Sequence, residues 1–213
     1  MNRELVLVPI GVLVSGRGSN LESILDAVDG KYITKGRVSV VVSNKPSVGA
    51  LEIARKHDVP TVVLDDKGLA KMDPEYDRKI IVTLEAHRVT PKDGLIALAG
   101  YFRILSPQFV DHYHNRIMNV HPALLPAFPG LEAQKRALEH GVKVSGATIH
   151  FVAKEVDAGP IILQAHVPVR DDDTVETLSE RILRQEHRLY PEAIRLFTED
   201  QLKIEGRRVV LKT

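Results

Sequence analysis

The chain has 213 residues, 44% hydrophobic and 27% charged, with a formal net charge of +1 and no cysteine. That length allows one large domain or two small lobes with a real core, and the balanced charge leaves no electrostatic footprint for nucleic acid or a membrane surface. Without Cys there are no disulfides, thiolate zinc sites or cysteine nucleophiles, and the composition fits a reducing cytoplasm.

The N-terminal stretch MNRELVLVPIGVLVSG has the apolar look of a signal peptide, but Glu4, Pro9 and the lack of a small-residue cleavage pattern argue against one. No apolar run approaches the ~20 residues of a membrane span. Ile10–Val14 reads as the first buried strand, with Met1–Pro9 as a short extension before it. Strand-length apolar runs follow at Val38–Ser43, Thr61–Leu64 and Leu95–Ala99, separated by helix-period stretches at Leu21–Val28, Val48–His57 and Glu75–Glu85. This alternation predicts an α/β fold, a Rossmann-like open and mostly parallel sheet flanked by helices. The second half continues with a strand at Ile117–His121, a helix near Leu131–His140, and strands at Val144–Val152 and Ile161–Val167. A long helix runs from about Thr174 to Phe197, with Pro191 as a point for a kink. Asp173 is placed to cap it, with Glu176 three residues on. Gln201–Leu211 reads as a small hairpin turning at Glu205-Gly206. With no repeat, low-complexity tract or Ser/Gly linker, residues 1–213 are expected to form a single domain with a soft division near residue 110.

Four features carry chemistry. Ser15-Gly16-Arg17-Gly18-Ser19-Asn20 lies between a strand and a helix. Glycines there let a ligand approach the backbone, and a helix N-terminus offers free N–H groups to an anion. Leu21 stands where the third Gly of the dinucleotide fingerprint would be, and no Gly-Lys-Ser/Thr follows, so the loop is neither that fingerprint nor a P-loop. The same residues also suit a tight turn with a helix cap. Second, strand residues two apart share a face, so Asn119 and His121 point together, as do Thr148 and His150. Pro122 ends the first of these strands, leaving His121 at its edge, the usual place for ligands in an open α/β sheet. Third, Asp157 sits in a loop between two strands, where it is either a turn residue or a carboxylate that tunes the His121 imidazole. Asn, His and Asp with no Ser or Cys nucleophile point to direct transfer rather than a covalent intermediate. Fourth, Glu186 falls within the apolar stripe Val175, Leu178, Ile182 and Leu189 of the long helix. A buried carboxylate needs a partner, either an arginine among Arg181, Arg184 and Arg188 or the hydroxyls of a ligand. The run Asp111-His112-Tyr113-His114 has metal-ligating side chains but no second ligand set, and reads as an exposed helix end.

The motifs VSGRGSNL, LAGYFRILS, NVHPALLPAFPG, GATIHFVAKEVDAGPIILQ and QEHRLYP, in that order from about Ile10 to the last helix, resemble the glycinamide ribonucleotide formyltransferase family. The resemblance implies a folate-dependent enzyme of purine biosynthesis that moves the formyl group of 10-formyltetrahydrofolate to the amine of glycinamide ribonucleotide, without a metal. By position, Asn119, His121 and Asp157 match the catalytic trio. His121 would be the general acid/base, Asn119 the holder of the formyl oxyanion, and Asp157 the support of the charged imidazole and of an ordered water. Gly18, Ser19 and Asn20 match the loop that holds the nucleotide phosphate, and Glu186 matches the carboxylate on its ribose hydroxyls. Phe102, Arg103, Ile104 and Leu105, with Asn119, Ala153 and Val156, match the lining of the folate pocket. Thr148 and His150 are placed as support for the trio. The phosphate-binding half would lie N-terminal to residue 110, and the catalytic, folate-binding half C-terminal to it. The implied partners are small molecules, not nucleic acid or membrane, and monomer and homodimer both stay open.

Two departures from the family pattern stand out. Ahead of EYDR the family carries a basic residue that meets the folate's glutamate tail, and here that place reads Met72-Asp73, with Lys71 and Arg78 the nearest bases. TPKDG at Thr90–Gly94 is slightly longer than the pattern. Three other readings compete, two with related chemistry and one without it. A formyltetrahydrofolate hydrolase shares the trio and LPAF, but such enzymes carry an N-terminal regulatory domain and lack the GRGSN loop. A methionyl-tRNA formyltransferase would need a further C-terminal domain and a basic surface. A binding module that kept the fold and lost the chemistry would have no use for the intact trio.

Overall fold

The computed structural model describes residues 7–212, and the first six residues of the expected N-terminal extension lie outside them. Val8 and Pro9 belong to the first strand rather than to an extension. In chain order the elements are β1 (Val8–Val14), α1 (Ser19–Asp29), β2 (Gly36–Ser43), α2 (Gly49–Lys56), β3 (Thr61–Val63), α3 (Pro74–Ala86), β4 (Leu95–Leu98), α4 (Pro107–His112) and β5 (Ile117–His121). Then come α5 (Ala133–Glu139), β6 (Val144–Phe151), β7 (Ile161–Pro168), α6 (Val175–Thr198), β8 (Leu202–Glu205) and β9 (Arg208–Leu211). The predicted hairpin is β8–β9, with Gly206 in the left-handed region at its turn. No helix of the described residues is long and apolar enough to cross a membrane.

The strands form one nine-stranded sheet in the order β3-β2-β1-β4-β5-β6-β7-β9-β8. The pairs from β3 to β5 are parallel, whereas β5–β6 and β6–β7 are antiparallel. Strands covered on both faces need apolar side chains on both, which is why β1 and β4 read as continuous hydrophobic runs. On one face, Val12, Val14 and Met118 pack with Leu21 and Ile24 of α1 and with Ile182, Tyr190 and Ile194 of α6. On the other, Leu13, Val42, Ile96 and Ile117 pack with Ile80 and Leu84 of α3 and Phe109 of α4. The chain reverses its winding at β1, which has β2 on one side and β4 on the other. The loops leaving β1 and β4 diverge there and open a crevice beyond the strand ends.

One helix-level expectation is corrected. Thr174, not Asp173, caps α6, its hydroxyl accepting from Thr177 N–H while the Thr177 hydroxyl accepts from Thr174 N–H. Asp173 is drawn into a bidentate pair with Arg181, with contacts of 2.9 and 2.7 Å, a stronger use of a carboxylate than an exposed cap. Pro191 lies inside α6, which continues through it to Thr198. Tyr190, fully buried beside it, donates its hydroxyl to the carbonyls of Leu98 (3.2 Å) and Met118 (2.9 Å). That contact fastens α6 to the ends of β4 and β5 next to Asn119.

Candidate active site

Two cavities open at the C-terminal ends of β1, β4 and β5. The first, of about 550 Å³, is lined by Gly16 to Asn20, by Ala99, Gly100, Phe102, Val120, Pro122 and Gln134, and by Val175, Glu176, Ser179, Glu180, Leu183 and Glu186 of α6. Gly18 precedes α1 with φ of 92°, and a Cβ there would lie 2.6 Å from the Ala50 Cα, so this turn requires glycine. No side chain caps α1, which leaves its first-turn N–H groups without a side-chain acceptor beside the cavity. Ser15 ties this loop to the one after β4, its N–H donating to the Gly100 carbonyl at 3.0 Å and its hydroxyl accepting from Phe102 N–H at 3.0 Å. Arg17 is the cavity's one cationic lining residue.

Glu186, 7% exposed, takes none of the three arginine partners open to it from sequence. Asn20 Nδ2 donates to its Oε2 at 2.7 Å across 166 residues of chain. Burial raises the carboxyl pKa above its ordinary value, and the Asn20 hydrogen bond only partly offsets this. Asn20 Oδ1 is buried with no hydrogen-bond partner. The pair therefore holds one acceptor in want of a donor and one carboxyl that is costly to ionise, both at the cavity wall.

The second cavity, of about 510 Å³, is lined by Lys71, by Gly100 to Leu105, by Asn119 to Pro122, by Gly130, Leu131, Glu132 and Gln134, and by His150, Val152 to Lys154, Val156 and Asp157. Its rim is apolar and exposed, with Phe102 at 70%, Leu131 at 65% and Val156 at 56%. The β5–β6 register sets Asn119 opposite His150 and His121 opposite Thr148, so the two polar strand ends form one patch.

Asp157 joins this patch from the β6–β7 loop. It lies in the left-handed region with φ of 54°, and Gly159 follows so close to β6 that a Cβ would lie 1.8 Å from the Phe151 carbonyl oxygen. The tight loop brings Asp157 Oδ2 to 3.2 Å from His121 Nδ1 and Oδ1 to 3.6 Å from His150 Nε2. Gly130 N–H donates to Oδ2 at 2.7 Å. Burial works against this carboxylate, but contacts from His150, Gly130 and His121 outweigh it and hold its pKa below the usual range. At His121 burial is the largest influence and pushes the pKa below the ordinary value, while Asp157 and the Phe128 carbonyl, 2.9 Å from Nε2, pull it back up. The pair thus sets a carboxylate biased towards its ionised form beside an imidazole that burial biases towards its neutral form.

His150 Nδ1 lies 2.9 Å from the Phe151 carbonyl and is its donor, which leaves Nε2 to accept from Asn119 Nδ2 at 3.2 Å. The Asn119 amide is oriented by this contact. Thr148 lies opposite His121 but its hydroxyl makes no hydrogen bond to the trio. Its hydroxyl donates to the Ala123 carbonyl at 2.7 Å and accepts from Leu125 N–H at 3.0 Å, holding the segment after His121.

Of the residues expected around a folate, Phe102 to Leu105, Asn119, Ala153 and Val156 all line the second cavity. Arg103 does so with its guanidinium already engaged. That group meets Asp66 Oδ2 at 3.0 Å and the Ala70 carbonyl at 2.8 Å, and lies 4.3 Å from the centre of the Tyr76 ring. Of the two nearest bases, Lys71 ahead of EYDR lines the cavity and Arg78 within it pairs with Glu75. Gln134, Glu132 and Leu131 also line it. They had no sequence signal, because α5 is short and its first turn carries no pattern to mark a ligand-facing side. The residues Asp111 and His112 pair with Lys154 and Glu85. Among the described residues no group of three or more His, Cys, Asp or Glu side chains could hold a metal.

The formyl transferase family model matches residues 8–194. Phosphoribosylglycinamide formyltransferase of Escherichia coli (strain K12) is 42% identical over 195 residues, covering 92% of this chain and 89% of that protein. The trifunctional purine biosynthetic protein adenosine-3 of Homo sapiens is 43% identical over 187 residues, but the chain spans only 18% of its length. The crystal structure of glycinamide ribonucleotide transformylase 1 from Symbiobacterium toebii superposes with a TM-score of 0.91 at 50% identity, covering 97% of this chain and 95% of that one.

Proposed function

The chain belongs to the phosphoribosylglycinamide formyltransferase family, and we propose that it transfers the formyl group of 10-formyltetrahydrofolate to the amine of glycinamide ribonucleotide in purine biosynthesis. The observation that carries this reading is the meeting of two cavities beside Asn119, His121 and Asp157, one walled by a glycine loop and an uncapped helix start. Hydrolysis of the formyl donor would have no need of that first cavity.

In this reading the nucleotide phosphate lies against Gly18, Ser19 and Asn20, where α1 presents N–H groups and its positive dipole end and Arg17 adds a cation. The ribose hydroxyls donate to Glu186 and to the unpartnered Asn20 Oδ1. The pterin end of the folate enters the second cavity between Phe102–Leu105 and Ala153–Asp157, with the acidic tail towards Lys71.

The amine attacks the formyl carbon, and a tetrahedral intermediate forms with negative charge on oxygen and positive charge on nitrogen. Asn119, oriented by His150, donates to the oxygen, the kind of contact worth roughly 10²–10³ in rate. Neutral His121 takes a proton from the nitrogen, directly or through a water held by Asp157, and the resulting imidazolium is stabilised by that carboxylate. It then gives the proton to the folate nitrogen as the carbon–nitrogen bond breaks, releasing tetrahydrofolate and restoring neutral His121. Nε2 donates to the Phe128 carbonyl in this structure, so for turnover the imidazole must leave that carbonyl and carry its one proton on Nδ1 towards Asp157, which frees Nε2 to accept.

The test is absorbance of the purified protein with 10-formyltetrahydrofolate, with and without glycinamide ribonucleotide. Deformylation is expected only with the ribonucleotide present. An equal rate without it identifies a hydrolase and withdraws the roles of Gly18, Ser19, Asn20 and Glu186.

A further inference from the structure

Five residues line both cavities: Gly100, Phe102, Val120, Pro122 and Gln134. They form the seam at which a group held on one side meets a group held on the other. Four of the five have apolar side chains or none, and Gln134 alone among them has a side chain that can make hydrogen bonds there. Its carboxamide makes no hydrogen bond to any described residue. The helix that carries it is anchored by the buried Ala133 and Ala137, which flank Gln134 on the helix surface, so the side chain stands on a fixed support with its bonding capacity unused.

We propose that the Gln134 carboxamide grips the glycinamide end of the nucleotide at this seam, an assignment that rests on the formyl-transfer reading above. The acceptor's reacting end is an amine one carbon from an amide carbonyl. A carboxamide complements both groups, with Oε1 accepting one amine N–H and Nε2 donating to the carbonyl. Holding one N–H in this way leaves the nitrogen lone pair free to turn towards the formyl carbon in the second cavity, which is orientation of a reacting atom. Gln134 is then a substrate-contacting residue of the acceptor, and it does not titrate.

The experiment compares wild type with Gln134→Met, which keeps length and helix propensity without polar atoms, and with Gln134→Glu, which keeps an acceptor and loses the amide donor. Ribonucleotide-dependent deformylation is measured at saturating 10-formyltetrahydrofolate, and tetrahydrofolate binding is measured separately. For Gln134→Met, kcat/KM for the ribonucleotide is expected to fall about 10- to 100-fold, the effect of losing one or two hydrogen bonds. Gln134→Glu should retain part of it. Tetrahydrofolate affinity should stay within about twofold and the rate should keep its pH profile, since neither depends on this contact. Wild-type kcat/KM in Gln134→Met overturns the assignment, and so does an equal loss of tetrahydrofolate affinity, which would make Gln134 part of the folate wall. A wild-type protein with no ribonucleotide-dependent turnover overturns the functional reading instead.

Discussion

His121 and Glu186 show opposite uses of burial. Burial lowers the pKa of His121 and keeps the imidazole available as a base near neutral pH. His121→Ala should lower kcat by about 10²–10⁴, the usual share of a general acid/base, while isothermal titration shows nearly unchanged ribonucleotide binding. Turnover at the wild-type rate would remove His121 from the mechanism. Because Asp157 raises the His121 pKa, Asp157→Asn should reduce the rate and move the acidic limb of the kcat/KM profile to lower pH, and an unmoved limb would count against the pairing. Glu186 works the other way, with its folded-state pKa raised by burial. A raised carboxyl pKa contributes stability below the ordinary value of about 4.3, and that contribution is lost as pH rises through the folded-state value. Glu186→Gln should therefore melt above wild type at pH 7 and 8, with the gap shrinking towards pH 4, while the ribonucleotide KM rises at least tenfold. A melting difference that does not vary with pH would mean that Glu186 is not ionised at cost in the folded protein.

At the scale of elements, the segment after β4 owes its shape to carboxylates outside the cavity. Asp66 accepts from Arg103, Asn44 and Lys45, and although burial opposes ionisation these contacts hold its pKa at about 2. Asp77, 2% exposed, accepts from Ser106 N–H at 2.7 Å at the far end of the same segment. Both carboxylates come from the β3–α3 region, so that region sets one wall of the second cavity. Asp66→Asn should raise the KM for the formyl donor about 3- to 10-fold by weakening a charge-assisted contact, with ribonucleotide affinity unchanged. A shift in both affinities would place Asp66 in general folding instead. The α6 helix serves two surfaces at once: Leu178, Ile182 and Leu189 face the core, while Glu176, Ser179, Glu180 and Leu183 face the first cavity. Glu186 belongs to both rows, which is why it interrupts the apolar stripe.

For the whole molecule, the sheet's change from parallel to antiparallel at β5–β6 is what assembles the site. Parallel strands deliver the glycine loop and Asn119-Val120-His121 to one end. The antiparallel β6 then brings Thr148 and His150 back across that end and turns Asp157 onto it. A ligand bridging the walls should stabilise the folded state by linkage, about 2.7 kcal/mol at a concentration 100 times its Kd. Thermal melts with glycinamide ribonucleotide should show a rise that Glu186→Gln reduces, and an equal rise in both proteins would put the nucleotide elsewhere.

Periodicity in the sequence determined the α/β order, the strand-end pair Asn119 and His121, and the place of Glu186 in a buried stripe, because side-chain direction within one element follows from local geometry. The motif resemblance carried the expected roles and fewer than half of the residues that line the two cavities. Tertiary structure alone decided which groups meet across the chain. It paired Glu186 with Asn20 rather than an arginine, brought Asp157 to His121, turned Arg103 onto Asp66 and set Gln134 on the seam. It also moved the α6 cap from Asp173 to Thr174, since Arg181 competes for the carboxylate from two turns on. Those outcomes depend on strand register and helix packing, which arise from long-range burial and hydrogen-bond competition and leave no periodic mark on the residues they join.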